Sequence, residues 1–519
     1  MFLSSDREPQ PCVLVIFGGS GALTARKIAP ALYNLARENR LPDNVAVVGF
    51  GRSELSTEAF RKRFEENIAQ YSRTGAADEN VFSWLAPRIF YQQGNYHEIE
   101  SFRELGELLD TIDEQYRTDG GRIFYNAIPP QLMSDVVVNL HEAKLLVRRM
   151  PHEEEEKGPM RIVLEKPFGR DLGSARKLNR TLEERIEESQ IFRMDHYLGK
   201  ETVQNLLVLR FANSIFEPLW NNRHVAHVHV TVAETAGVEE RAGYFENTGA
   251  LRDVLQNHVL QLLALFTMEP PVSLDPNSIR DAKANVLKSL RRSSEEDIRC
   301  STIRGQYATG EIDGEKVSAY REEKGVATDS NTETFVALRT YIDNWRWSGV
   351  PFYLTTGKRL AEQVTEVAIE FRSVPNILFR RARDEELSTN LLKVRVQPEE
   401  SVTLRICSKQ PGLGMHISSE EMHFPCDTRV ASATPKAYER LLLDVMAGNS
   451  TLFTRRDEIE LAWEFVEPIM HYWGEQGPPE FPNYPAGTWG PIHGKDFFRP
   501  DVCYSLFLNR MDEVQDENS

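Results

Sequence analysis

The chain has 519 residues, which predicts two or three domains at roughly 100–200 residues per domain. With 41% hydrophobic and 27% charged residues it has a globular composition, and a formal net charge of -17 makes nucleic acid and anionic membranes unfavourable partners. We therefore expect neither partner, and an anionic substrate would need a local basic pocket. The N-terminal MFLSSDREPQP does not resemble a signal peptide, and no apolar run approaches the roughly 20 residues of a membrane span. A reducing, cytoplasmic location is expected because the five cysteines are scattered without metal-type spacing: Cys12, Cys300, Cys407, Cys426 and Cys503.

The first part of the chain alternates strands with helices. Residues 13–17 (VLVIF) and 45–50 (VAVVGF) are short apolar runs typical of buried parallel strands, and a glycine turn and a helical pattern lie between them. Further helices and strands are predicted at 60–68, 102–112, 122–127 and 161–164. This alternation predicts an N-terminal Rossmann-like, doubly wound α/β dinucleotide-binding domain over residues 1–195.

The rest of the chain shows a different pattern. Residues 224–233 (HVAHVHVTVA) alternate strictly, which predicts a half-exposed strand in which His227 and His229 are structural or surface residues. Residues 251–268 predict an apolar helix. Other alternating segments predict strands at 333–342, 352–355, 364–371, 390–396 and 401–406. Residues 196–519 are therefore expected to form a larger α+β domain with a mostly antiparallel sheet and helices, used for substrate binding and oligomerisation, with a disordered acidic tail at 511–519.

The turn after the first strand predicts a dinucleotide site. Glycines there allow a tight turn and the close approach of a pyrophosphate to a helix N-terminus. Arg52 follows the second strand where an NAD enzyme usually has an acidic residue, and it can pair with a 2′-phosphate, so NADP is favoured. Glu54 keeps some use of NAD open. The candidate cofactor-binding residues are Gly18, Gly19, Ser20, Gly21, Ala22, Leu23, Arg52 and Lys166.

Three segments carry candidate chemical groups: residues 165–169 (EKPFG), 193–201 (RMDHYLGKE) and 252–258 (RDVLQNH). Lys166 follows a parallel strand, at the sheet edge where such sheets bind ligands. Polar groups at the start of a buried helix, such as Asp253 and His258, are costly without partners. Taken singly, His258 could be a structural histidine and Lys200 a surface charge; together the three segments favour a functional site.

These motifs resemble the glucose-6-phosphate dehydrogenase family in order and spacing. The resemblance spans nearly the whole chain and includes FGGSGAL, GYFENTGALRDVLQNH, WSGVPFYLTTGKRL and EFVEPI. It implies oxidation of D-glucose 6-phosphate at C1 to 6-phosphoglucono-1,5-lactone, with hydride transfer to NADP⁺, the first oxidative step of the pentose phosphate pathway. It further implies a homodimer or homotetramer, and the chemistry requires no metal.

The resemblance also assigns roles to single residues. His258 is expected to be the general base that removes the C1 hydroxyl proton, and Asp195 to fix its tautomer and stabilise the imidazolium. The sugar phosphate is expected to bind His196, Tyr197 and Lys200. The other expected substrate-binding residues are Lys27, Lys166, Glu234, Asp253 and Lys358.

Some positions depart from the family pattern, and two other functions stay open. Ala22 stands where the family has an aspartate, and Gln363 and Val364 stand where basic residues are frequent, which argues against a second, structural NADP site. One alternative is a related Rossmann dehydrogenase acting on an unphosphorylated sugar or inositol, which would not need the phosphate-binding residues. The other is a noncatalytic NADP-binding regulator, which would not need the Asp195–His258 pair.

Overall fold

The structure is a computed structural model that describes residues 8–150, 153, 158–375, 377, 388–412, 415–425 and 436–491. The predicted tail at 511–519, Cys426 and Cys503 lie outside the described residues. The chain forms two compact units. The first comprises Met1–Glu201, Pro271–Ala282 and Ala433–Glu460, and the second comprises Thr202–Pro270, Lys283–Ser432 and Leu461–Ser519.

The described secondary structure alternates strands and helices in the first two hundred residues and is richer in strands later. The strands are β1 Cys12–Phe17, β2 Val45–Gly51, β3 Ile89–Gln93, β4 Arg122–Asn126, β5 Met160–Glu165, β6 Ile191–Met194, β7 Val225–Ala233, β8 Thr302–Gly305, β9 Tyr307–Ala308, β10 Gly310–Ile312, β11 Glu315–Val317, β12 Phe335–Tyr341, β13 Pro351–Gly357, β14 Val364–Phe371, β15 Leu391–Gln397, β16 Ser401–Lys409, β17 Ile417–Pro425, β18 Phe453–Thr454 and β19 Tyr484–Pro485. The α-helices are Ala29–Arg37, Thr57–Tyr71, Glu79–Leu85, Ile99–Tyr116, Pro130–Glu142, Leu172–Glu183, Glu201–Phe211, Ala242–Phe245, Leu260–Thr267, Pro276–Lys288, Glu295–Ser301, Ala437–Ala447 and Arg456–Gln476. Thr24–Ile28 and Leu251–Val259 are π-helical.

The first unit is built on a seven-stranded sheet in the order β18-β6-β5-β4-β1-β2-β3. All of its pairings are parallel except that of β18 with β6. β1, β2, β4 and β5 are buried along their whole length, as expected for continuous apolar strands covered on both faces. The strand order reverses at β1, which is the topological switch point of a doubly wound sheet. The predicted fold of this part of the chain is confirmed.

The first unit also contains segments from much later in the chain. β18 pairs with Arg193 and Met194 of β6. The helix Ala437–Ala447 is held at its C-terminal end by Arg161, whose Nη1 donates to the carbonyls of Val445 and Met446 at 2.7 and 3.0 Å. The predicted boundary at residue 195 did not anticipate the return of 271–282 and 433–460 to this unit. The assignment of cofactor binding to residues 1–195, and of substrate binding and oligomerisation to residues 196–519, remains a prediction.

The second unit is built on an eight-stranded sheet in the order β17-β16-β15-β14-β7-β13-β12-β8. Only β7 and β13 pair in parallel, so the prediction of a mostly antiparallel sheet is confirmed. The prediction that residues 224–233 form a half-exposed strand is wrong. β7 lies between β13 and β14 and is buried on both faces, and the ring of His229 stacks on Tyr353 with 4.7 Å between centroids.

The predicted helix at 251–268 is present as the π-helical Leu251–Val259 continued by the α-helix Leu260–Thr267. Nearly all of its residues are buried, in keeping with its apolar sequence. Across the described residues, the structure contains no helix with the length and apolar character needed to cross a membrane.

Candidate active site

The glycine turn lies between β1 and the first helical segment and is fixed by hydrogen bonds. The backbone N–H groups of Gly18 and Gly19 both donate to the carbonyl of Phe50, at 2.9 and 3.1 Å. Gly18 has φ +86°, and a Cβ there would lie 2.4 Å from the carbonyl oxygen of Ala127. At Gly19, a Cβ would lie 2.7 Å from the Cα of Gly49. Only glycine fits at these two positions, and the turn sits at the carboxyl edge of the sheet where a pyrophosphate would bind.

The end of β2 lies beside this turn. The guanidinium of Arg52 is 5.9 Å from the centre of the Tyr96 ring, and the hydroxyls of Ser20 and Ser53 are 2.9 Å apart. Tyr91 donates its hydroxyl to the carbonyl of Ser53 at 2.8 Å. An exposed arginine and two hydroxyls therefore lie together next to the glycine turn, which is a donor set that fits a phosphate. Ser53, which adjoins Arg52, and Tyr96, which belongs to no motif, were not among the predicted site residues.

Three predicted site residues at and after the glycine turn are at least partly exposed to solvent. Ala22 and Lys27 are exposed and Leu23 is partly exposed. Desolvation by neighbouring atoms, together with the charges of Lys436 and Arg26, lowers the pKa of Lys27. Three cations thus gather near this turn, as an anionic ligand would require in a protein of negative net charge.

Residues 195–200 form a tight turn directly after β6. The carboxylate of Asp195, 2% exposed, accepts the backbone N–H of Tyr197 at 3.0 Å, and its carbonyl accepts that of Leu198 at 3.0 Å. The amine of Lys200 lies 3.8 Å from the centre of the Tyr197 ring, and the His196 ring is 5.2 Å from that ring. The structure therefore brings together all three residues expected to bind the sugar phosphate.

A buried carboxyl lies at the end of β5, next to Lys166. Glu165 accepts hydrogen bonds from the hydroxyls of Tyr125 at 2.6 Å and Tyr438 at 3.1 Å. Burial raises the pKa of Glu165 to about 7. The Tyr438 ring in turn stacks on His196, with 6.3 Å between centroids and 21° between planes. Glu165 belongs to a sequence motif but had no predicted role, and Tyr438 was not predicted as a site residue, because the two residues are 273 positions apart and only the fold joins them.

In the second unit, Glu234 and Lys358 form an ion pair, with the amine of Lys358 donating to Glu234. The cause is the single parallel pairing of the sheet, in which Ala233 of β7 lies opposite Gly357 of β13. Because parallel strands end at the same edge, the residue after each strand meets the other. The backbone N–H of Glu234 donates to the carbonyl of Gly357 at 3.0 Å, which fixes the register.

The π-helix Leu251–Val259 buries Asp253, Asn257 and His258, which are 3%, 9% and 2% exposed. Tyr244 donates its hydroxyl to Asp253 at 3.4 Å, and the side-chain oxygen of Asn257 accepts the backbone N–H of His258 at 2.6 Å. In a π-helix the hydrogen bonds join residues five apart, so Asp253 and His258 lie near the same face, and such segments are frequent at functional sites. The predicted pairing of His258 with Asp195 stays a prediction.

These features define the class of NAD(P)-binding dehydrogenases. They are a doubly wound domain with a glycine turn and a donor set that fits a phosphate, followed by a domain with buried carboxyl and imidazole groups. Residues 15–205 match the family model described as "Glucose-6-phosphate dehydrogenase, NAD binding domain", and residues 207–504 match "Glucose-6-phosphate dehydrogenase, C-terminal domain". The chain belongs to the glucose-6-phosphate dehydrogenase family, and the resemblance inferred from its motifs is confirmed.

Relatives and solved structures agree with this assignment along almost the whole chain. The glucose-6-phosphate 1-dehydrogenase of Chlamydia pneumoniae is 43% identical over 491 residues, covering 94% of each chain. That of Aggregatibacter actinomycetemcomitans is 44% identical over 484 residues, covering 93% of this chain and 95% of the other. A structure of glucose-6-phosphate dehydrogenase in complex with its substrate glucose-6-phosphate has a TM-score of 0.86 and 35% identity, covering 96% and 99% of the two chains. The enzyme from Mycobacterium avium has a TM-score of 0.78 and 34% identity, covering 94% and 97%.

Proposed function

We propose that this chain oxidises D-glucose 6-phosphate at C1 to 6-phosphoglucono-1,5-lactone and transfers the hydride to NADP⁺. The observation that carries the proposal is the grouping of His196, Tyr197 and Lys200 in one turn after β6. An imidazole, a phenol and an amine grouped in one turn suit a phosphate dianion, whereas an uncharged sugar or inositol has no anionic group that needs such donors. Family membership supports the same substrate.

In this proposal the chain's own residues bind the sugar and move one proton. His258 removes the C1 hydroxyl proton as general base, and Asp195 orients its ring and stabilises the imidazolium that forms. Glu234 and Asp253 accept hydrogen bonds from sugar hydroxyls, and Lys358 donates a hydrogen bond to the carboxylate of Glu234. NADP⁺, when bound, supplies the hydride acceptor at its nicotinamide ring.

We further propose that NADP⁺ is preferred over NAD⁺. Arg52 provides a charged donor at the end of β2, and the hydroxyls of Ser20 and Ser53 lie beside the same turn. A 2′-phosphate would gain charge-assisted hydrogen bonds there, whereas a ribose 2′-hydroxyl has no carboxylate at Arg52 to pair with. A homodimer or homotetramer in the cytoplasm, implied by the family resemblance and the cysteine usage, belongs to the same proposal.

The test follows NADPH absorbance after mixing the purified protein with glucose 6-phosphate and NADP⁺. Wild-type protein is expected to turn over, and His258→Asn to lose roughly 10²- to 10⁴-fold in kcat, the usual contribution of a general base. His229→Asn is the matched control, because His229 is also a buried histidine but lies inside β7. Its kcat is expected to stay within about twofold of wild type.

A flat trace from folded wild-type protein would refute the proposal. Turnover of unphosphorylated glucose or inositol with NAD⁺ would then favour the related sugar dehydrogenase. Binding of NADPH without any turnover would favour the regulator, in which Asp195 and His258 would have no catalytic role.

A further inference from the structure

The carboxyl of Glu165 is a buried group that the proposed reaction does not use. It lies at the last position of β5, directly before Lys166, and is 8% exposed. Both described hydrogen bonds to its Oε1 come from tyrosine hydroxyls, at 2.6 Å from Tyr125 on β4 and 3.1 Å from Tyr438 on the helix Ala437–Ala447. Burying a carboxyl costs free energy, which hydrogen bonds such as these two offset.

Only one of the two tyrosines reaches the residues proposed to bind the phosphate. The Tyr438 ring stacks on His196, with nearly parallel planes at 21° and 6.3 Å between centroids. Tyr125 has the sulfur of Met194, at 3.2 Å, as its other described hydroxyl neighbour. Tyr438 therefore connects Glu165 to His196, whereas Tyr125 connects it to Met194.

The helix that carries Tyr438 is itself firmly placed. Glu439, 1% exposed, accepts hydrogen bonds from Asn34 at 2.8 Å and from Arg73 at 3.1 Å. At the other side, a Cβ on Gly199 would lie 2.8 Å from the Cδ1 of Leu441, so the helix packs directly on the turn after β6. A stacked ring on such a support can hold the imidazole of His196 in one orientation.

We propose that Glu165 is a positioning residue for phosphate recognition: its carboxyl fixes the hydroxyl of Tyr438, and the Tyr438 ring orients His196. The charged and titratable groups that face Glu165 are Tyr125 from β4, Tyr438 from the helix, Lys166 from its own chain and Asp195 from the turn after β6. This inference rests on the proposed function. It adds that affinity for the sugar phosphate depends on the hydrogen bond from Tyr438 to Glu165 and on the stacking of Tyr438 on His196.

The test compares two single substitutions that each remove one hydrogen bond to the same carboxyl. Tyr438→Phe keeps the stacked ring but loses its link to Glu165, and Tyr125→Phe is the matched control, since it loses the stronger bond but no link to His196. We expect Tyr438→Phe to raise KM for glucose 6-phosphate about tenfold with kcat within about twofold, and Tyr125→Phe to change KM less than about twofold. KM for NADP⁺ is expected to stay unchanged in both.

Two outcomes overturn the inference alone: equal effects of both substitutions on KM, which would mark a merely structural role, or no effect of either. Folded wild-type protein that neither binds nor oxidises glucose 6-phosphate overturns the proposed function as well, so the two failures are distinguishable. Melting temperatures of both variants report whether they fold.

Infrared titration of the ligand-free protein gives a readout that is independent of turnover. Burial raises the pKa of Glu165 to about 7, so a carboxyl band is expected to titrate near neutral pH and to disappear in Glu165→Gln. The pKa of Asp444 is also raised to about 7 by burial, and its band is expected to remain in that variant. Tyr438→Phe removes a donor that favours the charged form, and the midpoint of that band is expected to rise. A band whose midpoint is the same in wild type and Tyr438→Phe contradicts the proposed link.

Discussion

Replacing Gly19 by alanine is expected to weaken cofactor binding and to lower the stability of the fold by a similar free energy. The added Cβ would lie 2.7 Å from the Cα of Gly49 and 3.1 Å from the backbone nitrogen of Phe50, both of them backbone atoms that cannot rotate away. To reach ordinary contact, the turn must move away from β2 by about 0.7 Å. That movement strains the two hydrogen bonds to the carbonyl of Phe50.

The magnitude follows from the usual cost of overpacking, about 1–3 kcal/mol. Because the displaced atoms are those that a pyrophosphate would approach, we expect the Kd for NADPH to rise roughly 5- to 150-fold, which is the same free energy expressed as an affinity. NADPH fluorescence titration measures the Kd, and a melting curve reports folding.

Gly474→Ala is the matched control. Gly474 lies in the helix Arg456–Gln476, and a Cβ there would meet no atom within 4 Å. The Kd should not change, and the helix should gain up to about 1 kcal/mol from the better helix former. If folded Gly19→Ala protein binds NADPH within about twofold of wild type, the glycine turn does not hold the pyrophosphate and the assignment of the cofactor site fails.

Arg52→Ala is expected to raise the Kd for NADP⁺ by roughly 10- to 100-fold, because a hydrogen-bonded charge partner of the 2′-phosphate is lost, and to leave that for NAD⁺ within about twofold; equal losses for both cofactors would contradict this role. Lys358→Met is expected to raise KM for the sugar about tenfold, because the cation paired with Glu234 is lost. Lys316→Met, at an exposed position, is the control. An unchanged KM in Lys358→Met would contradict a place for Lys358 in the substrate site. Asp444→Asn tests a buried carboxyl whose pKa burial raises to about 7. Between about pH 4 and pH 7 the folded state holds a proton that the unfolded state releases, so the stability contribution of this group is highest below about pH 4 and falls by up to about 4 kcal/mol as pH rises through 7. Denaturant unfolding of the variant at several pH values should lack that fall. Parallel curves of stability against pH for the two proteins would refute it.

The strands and helices of the first unit could be predicted because local sequence determines them. Runs such as residues 13–17 and 45–50 are apolar at every position, and only a parallel sheet covered on both faces buries such strands. The alternating pattern at 224–233 correctly predicted a strand, but it wrongly predicted that one face of this strand is exposed. Its polar face is buried because His227 lies 3.3 Å from Glu370 and His229 stacks on Tyr353, and neither partner is near in sequence.

The site was predictable as a set of residues but not as an arrangement. Motifs identified Glu234 and Lys358 separately, whereas their ion pair depends on the single parallel pairing of β7 with β13. Glu165 stood in a quoted motif, but its partner Tyr438 lies in a segment with no motif. The contact between Glu165 and Tyr438 joins residues 273 positions apart and forms only because residues 433–460 return to the first unit. Local sequence patterns do not predict such contacts.

The return of residues 433–460 to the first unit has a consequence for how this protein is made. When a ribosome has released residues 1–201, β6 still lacks its outer neighbour, because β18 comes from Phe453–Thr454. At about 5–20 residues per second, the edge of β6 stays open for roughly 10 to 50 seconds of synthesis. An unpaired edge strand is a template for association with other chains. A separately expressed fragment of residues 1–201, in which the edge of β6 stays open, is therefore expected to aggregate more readily than the full-length chain.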